Sequence, residues 1–282
     1  MRTAGLTAAA LIGFAANSLL CRMALRPRLL DAATFTSIRI VSGAVALLVV
    51  VSVGAARRTA PPVAGAGSWS SAAALFAYAA AFSFAYLRIG AGAGALLLFG
   101  AVQATMLAWA LREGARLRWP EWAGLLVAVG GLVALVRPGL SAPDPAGAAL
   151  MIAAGVAWGA YSLRGRGARR PLVATASNFA RAVPLALALS LACIGSMHVS
   201  RRGAVLAVAS GALSSGVAYS LWYAALGGLT ATQAAVVQLS VPVLVASGGV
   251  VLLGEALTPR LVVCGVIILG GVALAVLGRK RL

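Results

Sequence analysis

The chain has 282 residues, 62% of them hydrophobic, with only 23 Lys+Arg and five Asp+Glu. Soluble domains carry about 25% charged residues and about 45–50% apolar ones. A mean hydropathy of +0.99 therefore excludes a water-soluble globule and predicts a polytopic membrane protein. The net charge of +18 resides almost wholly in arginines between apolar runs, where they anchor loops at headgroups. No basic face interleaved with aromatics points to nucleic acid.

A bilayer core requires about 20 apolar residues per helix. Breaks at Pro, Gly and Arg clusters predict ten spans, near residues 4–22, 32–54, 70–87, 91–111, 120–137, 146–164, 172–195, 203–225, 230–253 and 259–278. The first begins like a leader peptide, with Arg2 before an apolar stretch. It runs on into Arg22, Arg26 and Arg28 rather than a cleavage site, so it reads as a retained span. Asn17 lies within it, and Arg39 lies about two turns inside the second. The longest connection, Arg57–Gly67, contains Pro61 and Pro62 and reads as a surface loop.

The third span places Tyr78 and Phe82 one turn apart, with Tyr86 at its end as a candidate interfacial aromatic. The segment Gly90-Ala91-Gly92-Ala93-Gly94 leads into the fourth span, which carries Phe99 and Gln103 and ends near Glu113. Trp158 falls in the sixth and Arg181 in the seventh; His198 is in a loop. The eighth carries Tyr219, Trp222 and Tyr223, and Gly227-Gly228 precedes the ninth. That span holds Gln238 and Pro242 and ends near Glu255. Cys21, Cys193 and Cys264 sit in or beside apolar runs without CxxC spacing and act as small hydrophobes, not as a metal or disulfide framework.

With the N-terminus inside, 13 basic residues fall on the cytoplasmic side and 8 opposite, while Arg39 and Arg181 lie inside spans. Both termini are thus expected in the cytoplasm. A shift of 142 residues superposes Gly13 on Gly155, Arg22 on Arg164, Arg39 on Arg181 and Glu113 on Glu255. With a two-residue deletion after the glutamates, Gly130-Gly131 falls on Gly270-Gly271. The expected organisation is a first five-helix repeat over 1–139 and a second over 140–282. Five being odd, the repeats run in opposite senses across the bilayer, an arrangement shared by many secondary transporters.

These residues resemble the drug/metabolite transporter superfamily, the EamA-type ten-helix permeases. The likeness rests on Gly13-Phe14-Ala15-Ala16-Asn17-Ser18 with Arg39, and on Ala157-Trp158-Gly159-Ala160-Tyr161 with Arg181. Each half also closes on a glutamate and a Gly-rich span: Glu113, Gly124 and Gly130-Gly131; then Glu255-Ala256-Leu257-Thr258-Pro259, Gly265 and Gly270-Gly271. The proline that precedes the glutamate in that family appears as Pro242, but its counterpart in the first half is Gly100. Within the superfamily the chain looks most like bacterial YddG-type aromatic amino acid exporters. That resemblance implies ten spans, cytoplasmic termini and amino acid efflux across the inner membrane.

Such a carrier needs a central cavity between the repeats. Asn17, Gln103 and Gln238 offer amide donors and acceptors to a zwitterion, or interhelical hydrogen bonds that only aid packing. Tyr78, Phe82, Phe99, Trp158, Tyr219 and Trp222 offer rings on which an apolar side chain can stack, or core packing alone. Arg39 and Arg181 could neutralise a carboxylate, but their symmetric placement favours a structural role repeated in both halves. Glu113 and Glu255, at span ends, are expected to cap helices or pair with loop arginines. No Asp or Glu lies at the middle of a predicted span, which removes the usual carboxylate relay for proton coupling and leaves facilitative transport as the expectation. The expected partners are an amino acid and the lipid bilayer, with no cofactor, no catalytic residue, no metal and a monomeric state. Alternatives are a carrier of the same fold for another small solute, a non-transporting scaffold, and an intramembrane enzyme. The last would draw on Gly211-Ala212-Leu213-Ser214-Ser215-Gly216, but no histidine lies in any span to act as its base.

Overall fold

The computed structural model describes residues 2–56, 66–114, 118–139, 142–166, 168–229 and 231–278. Arg57 to Gly65 of the predicted surface loop, Arg116, and the basic tail Arg279-Lys280-Arg281 lie outside the described residues. Among those described the chain is almost wholly helical, with a single isolated bridge pairing Leu30 and Val199. All ten predicted spans are helices: α1 (Arg2–Leu25), α2 (Ala32–Ala56), α3 (Trp69–Tyr86), α4 (Ala91–Arg112), α5 (Trp119–Val136), α6 (Pro145–Arg164), α7 (Pro171–Ala192), α8 (Arg201–Leu226), α9 (Gln233–Leu253) and α10 (Pro259–Gly278).

Among the described residues, nine of these helices are long and apolar enough to cross a membrane. The tenth, α3, has 18 residues, but Trp69, Ser70, Ser71, Tyr78, Ser83 and Tyr86 dilute its hydropathy. It compensates by position: α6, α7 and α2 pack around it, so protein rather than lipid meets its polar groups.

Apolar side chains face outward as well as inward. Val45, Val49 and Val53 of α2, Leu126 and Val133 of α5, and Val251 and Val266 face outward. Asn17, Thr36, Ser37, Arg39, Ser83, Asn178 and Ser210 are buried. In hydrocarbon a polar side chain has no water to return to, so it turns inward and bonds a neighbouring helix. Ser37 Oγ thus donates to the Ala186 carbonyl on α7 at 2.7 Å, and Thr36 Oγ1 donates to Ser83 Oγ on α3 at 2.9 Å.

The most extensive pairings join the first five helices to the last five: α5 with α10, α3 with α6, α2 with α7 and α1 with α8. The α5–α10 seam is a backbone contact. A Cβ at Gly124 would fall 2.5 Å from the Gly271 carbonyl oxygen, and one at Gly271 would fall 2.5 Å from the Ala128 amide nitrogen.

Two spans depart from regular α-helix. In α8 the stretch Ser210–Val217 is a π-helix. In α9 the helix is interrupted at Leu239, which separates the stretch ending at Gln238 from Ser240–Leu253. Pro242 explains the second break, because it lacks an N–H and its ring crowds the carbonyl four residues back, that of Gln238. Gly100 imposes no such constraint, and α4 runs unbroken through it. The two corresponding helices thus differ in continuity, with Pro242 at the interrupted one and Gly100 at the unbroken one.

At one end of the bundle Asp31 ties two turns together. Its Oδ1 accepts from the Thr34 N–H that opens α2, and its Oδ2 accepts from the His198 N–H at 3.0 Å. Burial works to raise the Asp31 carboxyl's pKa, but these backbone donors outweigh it and hold the group below the usual carboxylate range.

Candidate functional site

The aromatics expected to line a pathway converge. Tyr78 and Phe82, one turn apart on α3, stand 5.4 Å apart between ring centroids. Trp158 of α6 lies 4.8 Å from Tyr78 and stacks on Tyr219 of α8 at 5.7 Å. Trp222 joins through Phe14, whose ring is 5.5 Å from Tyr219 and 5.9 Å from Trp222. Phe99 of α4 is half-buried and packs at the margin of this core. Helices from both halves of the chain therefore meet in a single aromatic cluster.

A polar chain runs beside the rings. Ser210 Oγ donates to Asn17 Oδ1 at 2.7 Å, Asn17 Nδ2 donates to Tyr78 Oη at 3.4 Å, and Arg39 Nη2 donates to the same oxygen at 3.1 Å. The Arg39 guanidinium also lies over Tyr78 and Phe82, 5.1 and 5.0 Å from their centroids, a cation–π arrangement. The π-helical stretch brings α8 this close. At Gly211 its backbone lies directly against Ser42 and the Arg39 carbonyl, leaving no room for a side chain.

The two intramembrane arginines do not share the same contacts. Arg181 is half-buried and donates to Ser177 Oγ on its own helix and to the Ala66 carbonyl. Arg39 is 2% exposed and its Nη1 has no hydrogen-bond partner among the described residues. The symmetric placement seen in the sequence thus puts the two guanidiniums in unlike surroundings.

The other two amides sit elsewhere. Gln103 lines a cavity of about 640 Å³ between α4, α5, α9 and α10, together with Gly100, Leu132, Glu121 and Arg166. Gln238 is half-buried at the interruption of α9.

The end of the bundle away from this cavity, the one that also carries Asp31, is tied shut. Arg22 Nε pairs with Glu255 Oε1 at 3.0 Å, both side chains being largely buried. Arg22 Nη1 donates to the Tyr86 carbonyl at 2.6 Å, and Glu255 Oε2 accepts from the Ala91 N–H at 2.7 Å. This knot joins α1, α3, α4 and the end of α9, and the positive φ of Gly254, +61°, turns the chain into it. Tyr86 is fully buried against Phe82 at 4.7 Å, so it belongs to this closed end rather than to an interfacial belt. Glu113, by contrast, is exposed and accepts from Trp109 Nε1 at 2.7 Å.

Sequence reasoning passed over Phe14, Tyr161, Phe179 and Ser210 as site residues. Tyr161 stands 5.3 Å from Trp158 and three residues after it, again about one helical turn, as Phe82 is four residues after Tyr78. Phe179 meets Tyr219 at 6.3 Å. Ser210 carries no sequence signal, because only the π-helical phase of α8 aims it at Asn17.

A family model described as "EamA-like transporter family" matches residues 145–277. The Pseudomonas aeruginosa protein described as "Uncharacterized protein PA1977" is 50% identical over 273 residues, covering 97% of this chain and 94% of that one. A solved structure described as "Crystal structure of protein" aligns over 98% of this chain and 99% of its own. Its TM-score is 0.64 at 24% identity, and it shares the fold.

Proposed function

The chain belongs to the EamA-like transporter family, and on that premise we propose that it exports neutral amino acids with aromatic or other hydrophobic side chains, as YddG-type aromatic amino acid exporters do. The observation that carries this reading is the cluster of Tyr78, Phe82, Trp158 and Tyr219, joined to the Asn17 and Arg39 chain. Rings that stack on one another can stack on an apolar side chain, and amide, hydroxyl and guanidinium donors beside them answer a polar head group.

In this reading, 1–139 and 140–282 are inverted repeats that rock about the cluster by alternating access. The Arg22–Glu255 knot holds the outer end closed, and the cavity beside Gln103, Glu121 and Arg166 is the inner vestibule. The carrier sits in the bacterial inner membrane as a monomer with both termini in the cytoplasm. Transport runs down the substrate gradient, because no carboxylate occupies the middle of a span.

The test is uptake of labelled phenylalanine into proteoliposomes of the purified protein, with and without a proton gradient and under competition by other amino acids and metabolites. Saturable uptake that amino acids block and the gradient leaves unchanged is the expected result. Uptake no greater than in empty liposomes overturns the aromatic reading, and uptake that follows the proton gradient at fixed membrane potential overturns the facilitative one.

A further inference from the structure

We propose that Arg39 and Tyr78 form a carboxylate-binding couple at the heart of the bundle, so that the solute this protein carries is an organic monocarboxylate with an apolar aromatic body. The proposal rests on the aromatic-carrier reading and narrows it to one obligatory functional group.

Three observations support it. A guanidinium 2% exposed inside a membrane bundle is costly unless a counter-charge accompanies it. The two ion pairs among the described residues, Arg22–Glu255 and Arg88–Asp144, leave Arg39 without one. Its Nη1 has no partner while Nη2 is engaged by Tyr78. Tyr78 Oη, for its part, accepts from both Asn17 and Arg39, so its own hydroxyl proton is left to donate. Two donors, the charged Arg39 Nη1 and the Tyr78 hydroxyl, are therefore left at the two ends of the 3.1 Å Arg39 Nη2–Tyr78 Oη bond with an acceptor still to find. A carboxylate, with two oxygens, matches a guanidinium nitrogen and a neighbouring hydroxyl.

The surroundings fix the remainder of the ligand. Phe82 and Trp158 flank Tyr78, and Tyr219 stacks on Trp158 beyond it, so whatever anchors its acid group here has rings on which to lay its body. Arg181, at the corresponding position of the second half, is half-buried and already donates through Nη1 to Ser177 and the Ala66 carbonyl, which makes the buried anchor one-sided. The site binds one carboxylate, not two. Entry requires the Tyr78 and Trp158 rings to part, a motion that repeats rocking about this point would produce.

The experiment compares four probes as competitors of phenylalanine uptake and as thermal stabilisers of the detergent-solubilised protein: phenylalanine, 3-phenylpropionate, phenylalaninamide and phenethylamine. In the wild type the two carboxylates compete and stabilise, while the amide and the amine do neither. Arg39→Gln lowers the apparent affinity for both carboxylates on the order of tenfold or more and abolishes the preference. Arg39→Lys recovers part of it, since the charge remains and the fork does not. Should Arg39→Gln fail to fold, Tyr78→Phe removes one donor while keeping the ring, and the wild-type panel decides by itself. Competition by phenethylamine or the amide equal to that by phenylalanine overturns the anchor and leaves the aromatic carrier standing. If none of the four probes competes or stabilises, the anchor and the carrier reading fall together.

Discussion

Arg22 and Glu255 meet at 3.0 Å at one end of the bundle, whereas the residues 142 positions away, Arg164 and Glu113, are turned to other partners. Arg164 Nη1 reaches the Ala160 carbonyl of its own helix at 3.4 Å, and Glu113 accepts from Trp109. If the halves exchange conformations, the pair made at one end is the pair broken at the other. Replacing Glu255 with Gln should loosen the closed end. Cys21, the fully buried neighbour of Arg22, is the reporter: with Cys193 and Cys264 changed to Ser, its labelling by a maleimide should accelerate several-fold in Glu255→Gln. An unchanged labelling rate would remove the knot's role as a latch.

The same relationship predicts a cross-link. Glu113→Cys combined with Arg164→Cys, in the cysteine-free background, should form a disulfide while transport substrate is cycling and should suppress uptake to less than about a tenth once oxidised, with recovery on reduction. The geometry required is a Cα separation of roughly 4.4–6.8 Å, which the cross-link predicts for the closed vestibule end. Failure to cross-link under turnover would show that the halves do not exchange this contact.

Trp158 contacts Tyr78, Tyr161 and Tyr219 at once. Trp158→Ala should raise the KM for aromatic substrates by roughly two- to tenfold, the size of one ring–ring interaction, with Trp158→Phe intermediate. Measurement of kcat and KM in proteoliposomes checks the ordering.

The glycines of the α5–α10 seam separate by their surroundings. Gly271 faces the Ala128 backbone, while at Gly270 an added Cβ meets nothing within 4 Å. Gly271→Leu should destabilise by about 1–3 kcal/mol or more through overpacking, visible as a lowered Tm in detergent, and Gly270→Leu should leave Tm nearly unchanged. Equal effects at the two positions would contradict the backbone contact.

Acid should loosen the tie between the turns. The Asp31 carboxyl is held below its ordinary value by the Thr34 and His198 N–H groups, so the stability it supplies is fully present above the unfolded carboxylate pKa of about 3.9. It is lost as pH falls through the lower folded value. The Tm of the wild type should exceed that of Asp31→Asn by a constant margin at about pH 6–8, and the margin should shrink on acidification below about pH 4. A margin independent of pH would assign the effect of the substitution to packing.

The spans were legible because the bilayer imposes one requirement, about 20 apolar residues, and each gap carried Arg, Gly or Pro. Tyr78 with Phe82, and Tyr219 with Tyr223, could be picked out because aromatics one turn apart in a span share a face, and Trp158 by its type and its place in a span alone. The aromatic cluster itself was not readable, since it depends on how α3, α6 and α8 pack, and ring order is set by tertiary contact. Arg39 and Arg181 look alike in sequence and differ only in what the folded chain offers each: a tyrosine hydroxyl and two rings for the first, a serine and a carbonyl for the second. Gln103 resembled Asn17 by depth alone, and only the direction of α4 assigns it to a different cavity.

The π-helical stretch of α8 has a rotational consequence. A π turn holds about one residue more than an α turn, so Ser210 and Tyr219 are set out of phase by roughly one residue, about 100° of rotation. Were Ser210–Val217 to tighten into regular helix, everything beyond it would swivel relative to α1 and α2, carrying Tyr219 away from Trp158 while Ser210 still held Asn17. A crankshaft of this kind needs no hinge between helices, because the twist is stored within a single one.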